Sequence, residues 1–232
     1  MKGFLRTFIG VLLAPAALAA VWATCAAAGP VLARFSATFP LLGGALLCAA
    51  LHAAGRGKRL YVTAHELTHA LAAVMTGVRV SKISVKKQSG YVLTDSSNTF
   101  ISLAPYFIPF YTLVAAAAYW TACRFWDGAP LRPWFLAAAG FTLAFHILHT
   151  ADILAGPVQS DLKKAGGPVF SMPLLLLLNC AGLALALKLL FPELMSARDY
   201  AARVLGAEAA VYKAIGSAAL YAFNTAKMYL RT

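Results

Sequence analysis

The chain has 232 residues, of which 61% are hydrophobic and only 12% charged, with a mean hydropathy of +0.73. A soluble domain covers its surface with about 25% charged residues, so this composition excludes an ordinary soluble fold and describes a polytopic membrane protein. The formal net charge is +12, yet the basic residues sit in short loops and along the C-terminal tail with no aromatic-interleaved patch, which excludes a nucleic-acid partner and leaves the anionic headgroups of a lipid bilayer as the counter-charge.

Crossing the hydrocarbon takes about 20 helical residues. Apolar runs at roughly 7–29, 38–54, 60–77, 99–122, 134–155 and 168–191 therefore predict about six transmembrane helices, two of them short. No Ser/Gly-rich linker interrupts them, so residues 1–192 are read as one transmembrane domain and 193–232 as a separate tail. The N-terminus has a basic start, with Lys2 and Arg6, and is rich in small residues, as a cleaved signal peptide would be. Its apolar stretch is long for such a peptide and further spans follow, so it is read as a retained helix. His52, alone near the end of the second run, is read as structural.

The third run holds AHELTHALAAVMTG, residues 64–77, followed by VRVSKISVKKQSGYVLTDS. There Val80, Ile83, Val85, Tyr91 and Leu93 alternate with polar residues, and QSG at 88–90 supplies a turn, which predicts a β-hairpin at the membrane surface. After Pro192, Leu194, Val204, Val211 and Ile215 recur among Arg and Lys. That pattern predicts one or two amphipathic helices, lying in the interface or packed back on the bundle. Cys25, Cys48, Cys123 and Cys180 each lie alone without CxxC spacing, and read as small core residues. The fold class is thus an all-α polytopic membrane protein with a small β-hairpin after the third helix and an amphipathic C-terminal tail.

With a cytoplasmic N-terminus and six crossings, thirteen of the Lys and Arg residues fall on the cytoplasmic side and seven on the other. The positive-inside rule favours that orientation, although most of the excess belongs to the tail.

His65-Glu66-Leu67-Thr68-His69 is an HExxH motif. On a helix the i, i+4 spacing sets the two imidazoles about 40° apart on one face, one turn above each other, so both can reach one zinc ion. Glu66, about 100° round from His65, can lie beside the attacking water instead, as general base and later as proton donor to the leaving amine. Inert packing of the three ionisable groups would need a hydrogen-bond partner for each merely to break even at low dielectric, a cost a metal offsets.

Zinc requires a third protein ligand and an open fourth position. The extended HExxHxxGxxH pattern fails, because Ala72 and Met75 stand where its glycine and last histidine would be. The glutamates after the motif, Glu193 and Glu208, both belong to the tail. What remains is His146, His149, Asp152 and Asp161, in AFHILHTADILAGPVQSDLKKAGG, with Asp161 beyond the AGP break and able to point back into the bundle. Those not used as ligand would orient the ligands or stabilise an oxyanion, and the His146/His149 pair also reads as a pH-sensitive polar seam.

HELTHA at 65–70, Gly77, the hairpin, SLAPYFIPFYTL at 102–113 and an aspartate near a later span together resemble the site-2 protease family of intramembrane zinc metallopeptidases, peptidase family M50, over about residues 58–190. The resemblance implies that His65 and His69 bind Zn2+, that Glu66 activates water, and that the third ligand, an aspartate in an NxxPxxxLDG-like stretch, falls on Asp161. Here the asparagine-proline lead is missing, although Gly156 and Pro157 break the helix in a comparable place, and DL replaces DG. It also implies a cytosolic hairpin, which opposes the charge count unless the third helix enters only partway. The expected function is hydrolysis of peptide bonds in a membrane-protein or transmembrane-peptide substrate by zinc-activated water, in a multi-pass protein of a bacterial-type inner membrane. Another class of integral-membrane zinc enzyme is the nearest enzymatic alternative. A zinc or proton transporter using His65, His69, His146, His149 and Asp152 is the alternative of a different class, although no repeated half is detectable.

Overall fold

The computed structural model describes residues 2–86 and 89–229. The chain runs α1 (Lys2–Ala33), α2 (Phe35–Ala53), α3 (Lys58–Met75), β1 (Val80–Val85), β2 (Gly90–Thr94), α4 (Thr99–Leu103), a 3-10 turn (Ala104–Tyr106), α5 (Phe110–Ala122), α6 (Arg132–Ala155), α7 (Ser160–Ala165), α8 (Pro168–Leu190) and α9 (Ala197–Tyr229).

Among the described residues four helices, α1, α2, α6 and α8, are long and apolar enough to cross a membrane, and the segments Thr99–Tyr106 and Phe110–Ala122, bent by 76°, add a fifth if they form one broken span. The remaining predicted run forms α3, an 18-residue helix. Its Lys58, Arg59, Glu66 and two histidines make it too polar for that set. Large side chains left exposed on the spans, such as Leu46, Leu47, Leu185 and Leu189, are what a lipid-facing surface requires.

The chain divides into two compact units, Met1–Val31 with Met172–Thr232, and Leu32–Ser171. In the first, α1 buries an alanine stripe, Ala16, Ala17, Ala19, Ala20 and Ala23, small residues of the kind that let helices approach closely without an interhelical hydrophobic effect. The predicted tail forms a single helix, α9. The Tyr200 hydroxyl hydrogen-bonds Thr24 Oγ1 at 3.0 Å, and the Tyr212 hydroxyl donates to the carbonyl of Leu12. Position 200 therefore meets 24 and position 212 meets 12, so α9 runs antiparallel to α1.

In the second unit α2 and α6 are the principal pair. A Cβ added at Gly44 would lie 1.9 Å from the Ala137 carbonyl oxygen, and one at Gly140 would lie 1.9 Å from that of Leu41. Only glycine permits this approach. Further along, His52 meets Asp152, so both helices advance in the same direction and end at the same side. Cys48, Tyr61 and Phe145 form the adjoining core, with Tyr111 and Phe141 packed on it.

The hairpin is antiparallel, with Ile83 opposite Val92, Ser84 opposite Tyr91 and a bulge between Val80 and Lys82. Lys86 N–H donates to the Ser89 carbonyl at 2.7 Å across its tip. Gln88 of the expected QSG turn lies outside the described residues. The strands pack on α3, while Ala72, Ala73, Ile101 and Ala104 join α3 to α4 and its turn. Asn98 caps α4 by accepting from Ile101 N–H at 2.8 Å, and Pro105 and Pro109 place two residues without N–H donors in the bend.

Candidate metal centre

α3 begins at Lys58, soon after α2 ends, so His65 lies about 10 Å along it at 1.5 Å per residue. Asp161 lies just past the end of α6, at the same side of the α2–α6 pair. Pro157 and the extended residue Gly156 stop α6, and α7 returns the chain against α4 with Leu162 and Ala165 buried. That anchorage sets Asp161 against the face of α3 that carries the two histidines.

Nε2 of His65 and Nε2 of His69 each lie 3.4 Å from Asp161 Oδ2. One donor atom from each of the three side chains lies within 4.8 Å of the other two, the only such group of three among the described residues. The imidazole planes are nearly perpendicular, at 83°. Zinc–nitrogen and zinc–oxygen bonds of about 2.0–2.2 Å at the tetrahedral angle put neighbouring donors about 3.3–3.5 Å apart, so the two nitrogen–oxygen separations fit one zinc ion.

Each of the three side chains has a protein partner. His69 Nδ1 lies 2.8 Å from the Ile101 carbonyl, which can only accept, so Nδ1 carries the proton and Nε2 keeps its lone pair. The carbonyl is free for a local reason: its helical partner would be the N–H four residues on, at Pro105, which has none. The Tyr61 hydroxyl, one turn before His65, lies 3.4 Å from His65 Nδ1. The Tyr106 hydroxyl donates to Asp161 Oδ2 at 3.1 Å, and its ring packs edge-on to His65. Sequence reasoning missed the tyrosines. The i−4 spacing of Tyr61 was a usable signal, whereas Tyr106 reaches the site only through the bend.

Glu66 is 6% exposed. A Cβ at Gly90, the first residue of β2, would lie 2.5–2.8 Å from its Cγ, Cδ and Oε1, so with glycine at position 90 the hairpin lies over this side chain without displacing it. All of these groups open on a cavity of about 390 Å³, walled also by Tyr91, Val92 and Thr94 of β2, by Ser102, and by Gln159 and Lys164 from the α7 region.

The other candidates stand elsewhere. His52 is not alone: its Nε2 is 3.1 Å from Asp152 Oδ2, and its ring packs edge-on to His149 at 4.6 Å between centroids. His149 in turn stacks on Tyr61 at 5.4 Å, and its Nδ1 meets the Phe145 carbonyl. His146 lines a separate cavity of about 20 Å³ together with Tyr61, His65 and Thr142. Neither histidine nor Asp152 joins the cluster of three.

No curated protein and no solved structure matches the chain. The family model described as Peptidase M50B-like matches residues 45–154, just under half of the chain. That stretch takes in α3 with His65, Glu66 and His69, the hairpin, the bent pair and nearly all of α6, and it ends before Asp161. The match supports the resemblance to the site-2 protease-like M50 peptidases that HELTHA implied, and the long apolar helices fit an integral membrane protein.

Proposed function

We propose that the protein is a membrane metallopeptidase in which His65, His69 and Asp161 hold zinc and Glu66 is the catalytic base. The observation that carries this is the meeting of two Nε2 atoms from adjacent turns of α3 with one carboxylate oxygen from α7, beside a cavity that Glu66 also lines. Bound zinc supplies Lewis acidity toward a carbonyl oxygen and lowers the pKa of water toward about 7. Glu66 takes the proton of the attacking water as the new C–O bond forms, and gives it to the amine nitrogen as the C–N bond breaks. Burial under Gly90 limits the rotamers of Glu66 and keeps its carboxylate close to the attacking water. Ile101, Tyr61 and Tyr106 fix the ring and carboxylate orientations before substrate arrives.

A substrate helix hides its carbonyls in i to i−4 hydrogen bonds and must unwind before attack. The second edge of β2 has no strand paired with it among the described residues. Since Tyr91, Val92 and Thr94 line the cavity, that edge is the surface we assign to the unwound segment, by strand addition.

The test uses the purified full chain, zinc-loaded, with helical membrane substrates, comparing the parent with Glu66→Gln. The variant should keep its zinc and lose cleavage by orders of magnitude. Equal cleavage by both forms removes Glu66 from the mechanism. Metal transport into liposomes by a protein that cleaves nothing replaces this reading with that of a carrier.

A further inference from the structure

Lys164 is the one cation lining the cavity among the described residues, and neither metal binding nor general-base chemistry needs it. It stands three residues after Asp161 on α7, so the two side chains share a helix face, next to the stripe of Leu162 and Ala165 that anchors the helix. No carboxylate lies within 4.0 Å of its ammonium group among the described residues.

The charges of the cavity favour an anion there. Its ionisable lining is His65, Glu66, His69, Asp161 and Lys164, besides tyrosines. With neutral imidazoles, the carboxylates of Glu66 and Asp161 offset a divalent ion and the charge of Lys164 is left over. The same lining includes the polar residues Ser102, Gln159 and Ser160, so a charged substrate group keeps hydrogen-bonding partners when it enters.

We infer that Lys164 is a specificity-determining residue that binds a carboxylate of the substrate close to the scissile bond. The inference rests on the peptidase reading above for its substrate class. The carboxylate belongs either to an acidic side chain or to a free C-terminus.

The experiment measures binding and turnover separately. Zinc-loaded Glu66→Gln protein in lipid nanodiscs is titrated, by fluorescence anisotropy, with a short alanine-rich dye-labelled peptide bearing one central Glu and with its Gln counterpart, both amidated. The Gln peptide with a free C-terminal acid is the third arm. Lys164 is exposed, and an ion pair at an exposed lysine predicts up to about fivefold tighter binding of one acidic form. Its identity tells which source of carboxylate is used. Lys164→Gln on the same background should abolish the preference, Lys164→Arg should keep it and Lys164→Glu should reverse it toward a Lys-bearing peptide. Equal binding of all three peptides, no binding of any, or a preference that survives in Lys164→Gln overturns the inference. Turnover by the Glu66 parent then separates the two levels. Hydrolysis indifferent to charge refutes the role of Lys164 alone, and an acidic preference without hydrolysis refutes the peptidase reading alone.

Discussion

Replacing Tyr106 with phenylalanine isolates one hydrogen bond of the metal centre. Tyr106 is 1% exposed, and its hydroxyl donates to Asp161 Oδ2 at 3.1 Å. The variant keeps the ring and its edge contact with His65, 5.1 Å between centroids, and deletes one O–H. A hydrogen bond to an ionised group contributes about 1.5–3 kcal/mol, which at about 1.4 kcal/mol per decade is a factor of about 10–100. The side chain of Asp161 is 18% exposed, so water takes over part of the loss and the lower end, about tenfold weaker zinc binding, is expected. Competition against a chromophoric chelator, with the full chain in detergent, reads this directly, and an unchanged melting temperature shows that the fold is intact. In an Asp161→Asn background the hydroxyl should add far less, as coupling between the two side chains demands. Zinc affinity within twofold of the parent in Tyr106→Phe would refute Tyr106 as a positioning residue, and with it the assignment of Asp161 as a ligand that must be held.

Two further substitutions probe the supports of the other two motif residues. Gly90→Ala drives a Cβ into the Glu66 side chain, whose flexible end moves at little cost in stability; a displacement near 1 Å should lower turnover about a hundredfold while zinc affinity stays unchanged. Full activity in that variant would show that the base has freedom the packing denies. Pro105→Ala returns an N–H to the helical ladder, where it competes with His69 Nδ1 for the Ile101 carbonyl. Zinc binding should weaken by about tenfold, the imidazole 15N shifts of His69 should report a mixed tautomer, and identical shifts with identical affinity would refute the link.

The helical motif is legible in a single sequence because its chemistry is local: i, i+4 spacing alone puts His65 and His69 on one face. The hairpin is legible for the same reason, from alternation between positions 80 and 94, and the AGP stop explains why Asp161 turns back. The partners are not. Ile101 reaches His69 only because Pro105 frees its carbonyl and the segment bends by 76°, and no periodicity in either stretch encodes their meeting. His52 read as solitary because its partner Asp152 is a hundred residues away and depends on two glycines bringing α2 and α6 into contact in parallel. Apolar runs also cannot separate a span from α3, a helix with the length of a span but the polarity of a site.

An inert ion-pair cluster is the physical competitor to a metal centre, and the geometry of the oxygen argues against it. Two imidazole nitrogens and the Tyr106 hydroxyl all converge on Asp161 Oδ2, whereas a carboxylate oxygen offers only two lone pairs. If both rings were protonated, their mutual repulsion at 4.8 Å between centroids would oppose the arrangement. Whatever the state of His65, a neutral His69 has no proton left on Nε2, since Nδ1 has committed its own to Ile101, and its lone pair then faces the carboxylate oxygen. Moreover, a good charge-assisted N–H···O bond closes to about 2.7–2.9 Å, and both contacts stop at 3.4 Å. One cation shared by the two nitrogens and the oxygen would turn the lone pairs from competitors into ligands and use the longer spacing as the edge of its coordination polyhedron, which is the support for the proposed zinc site.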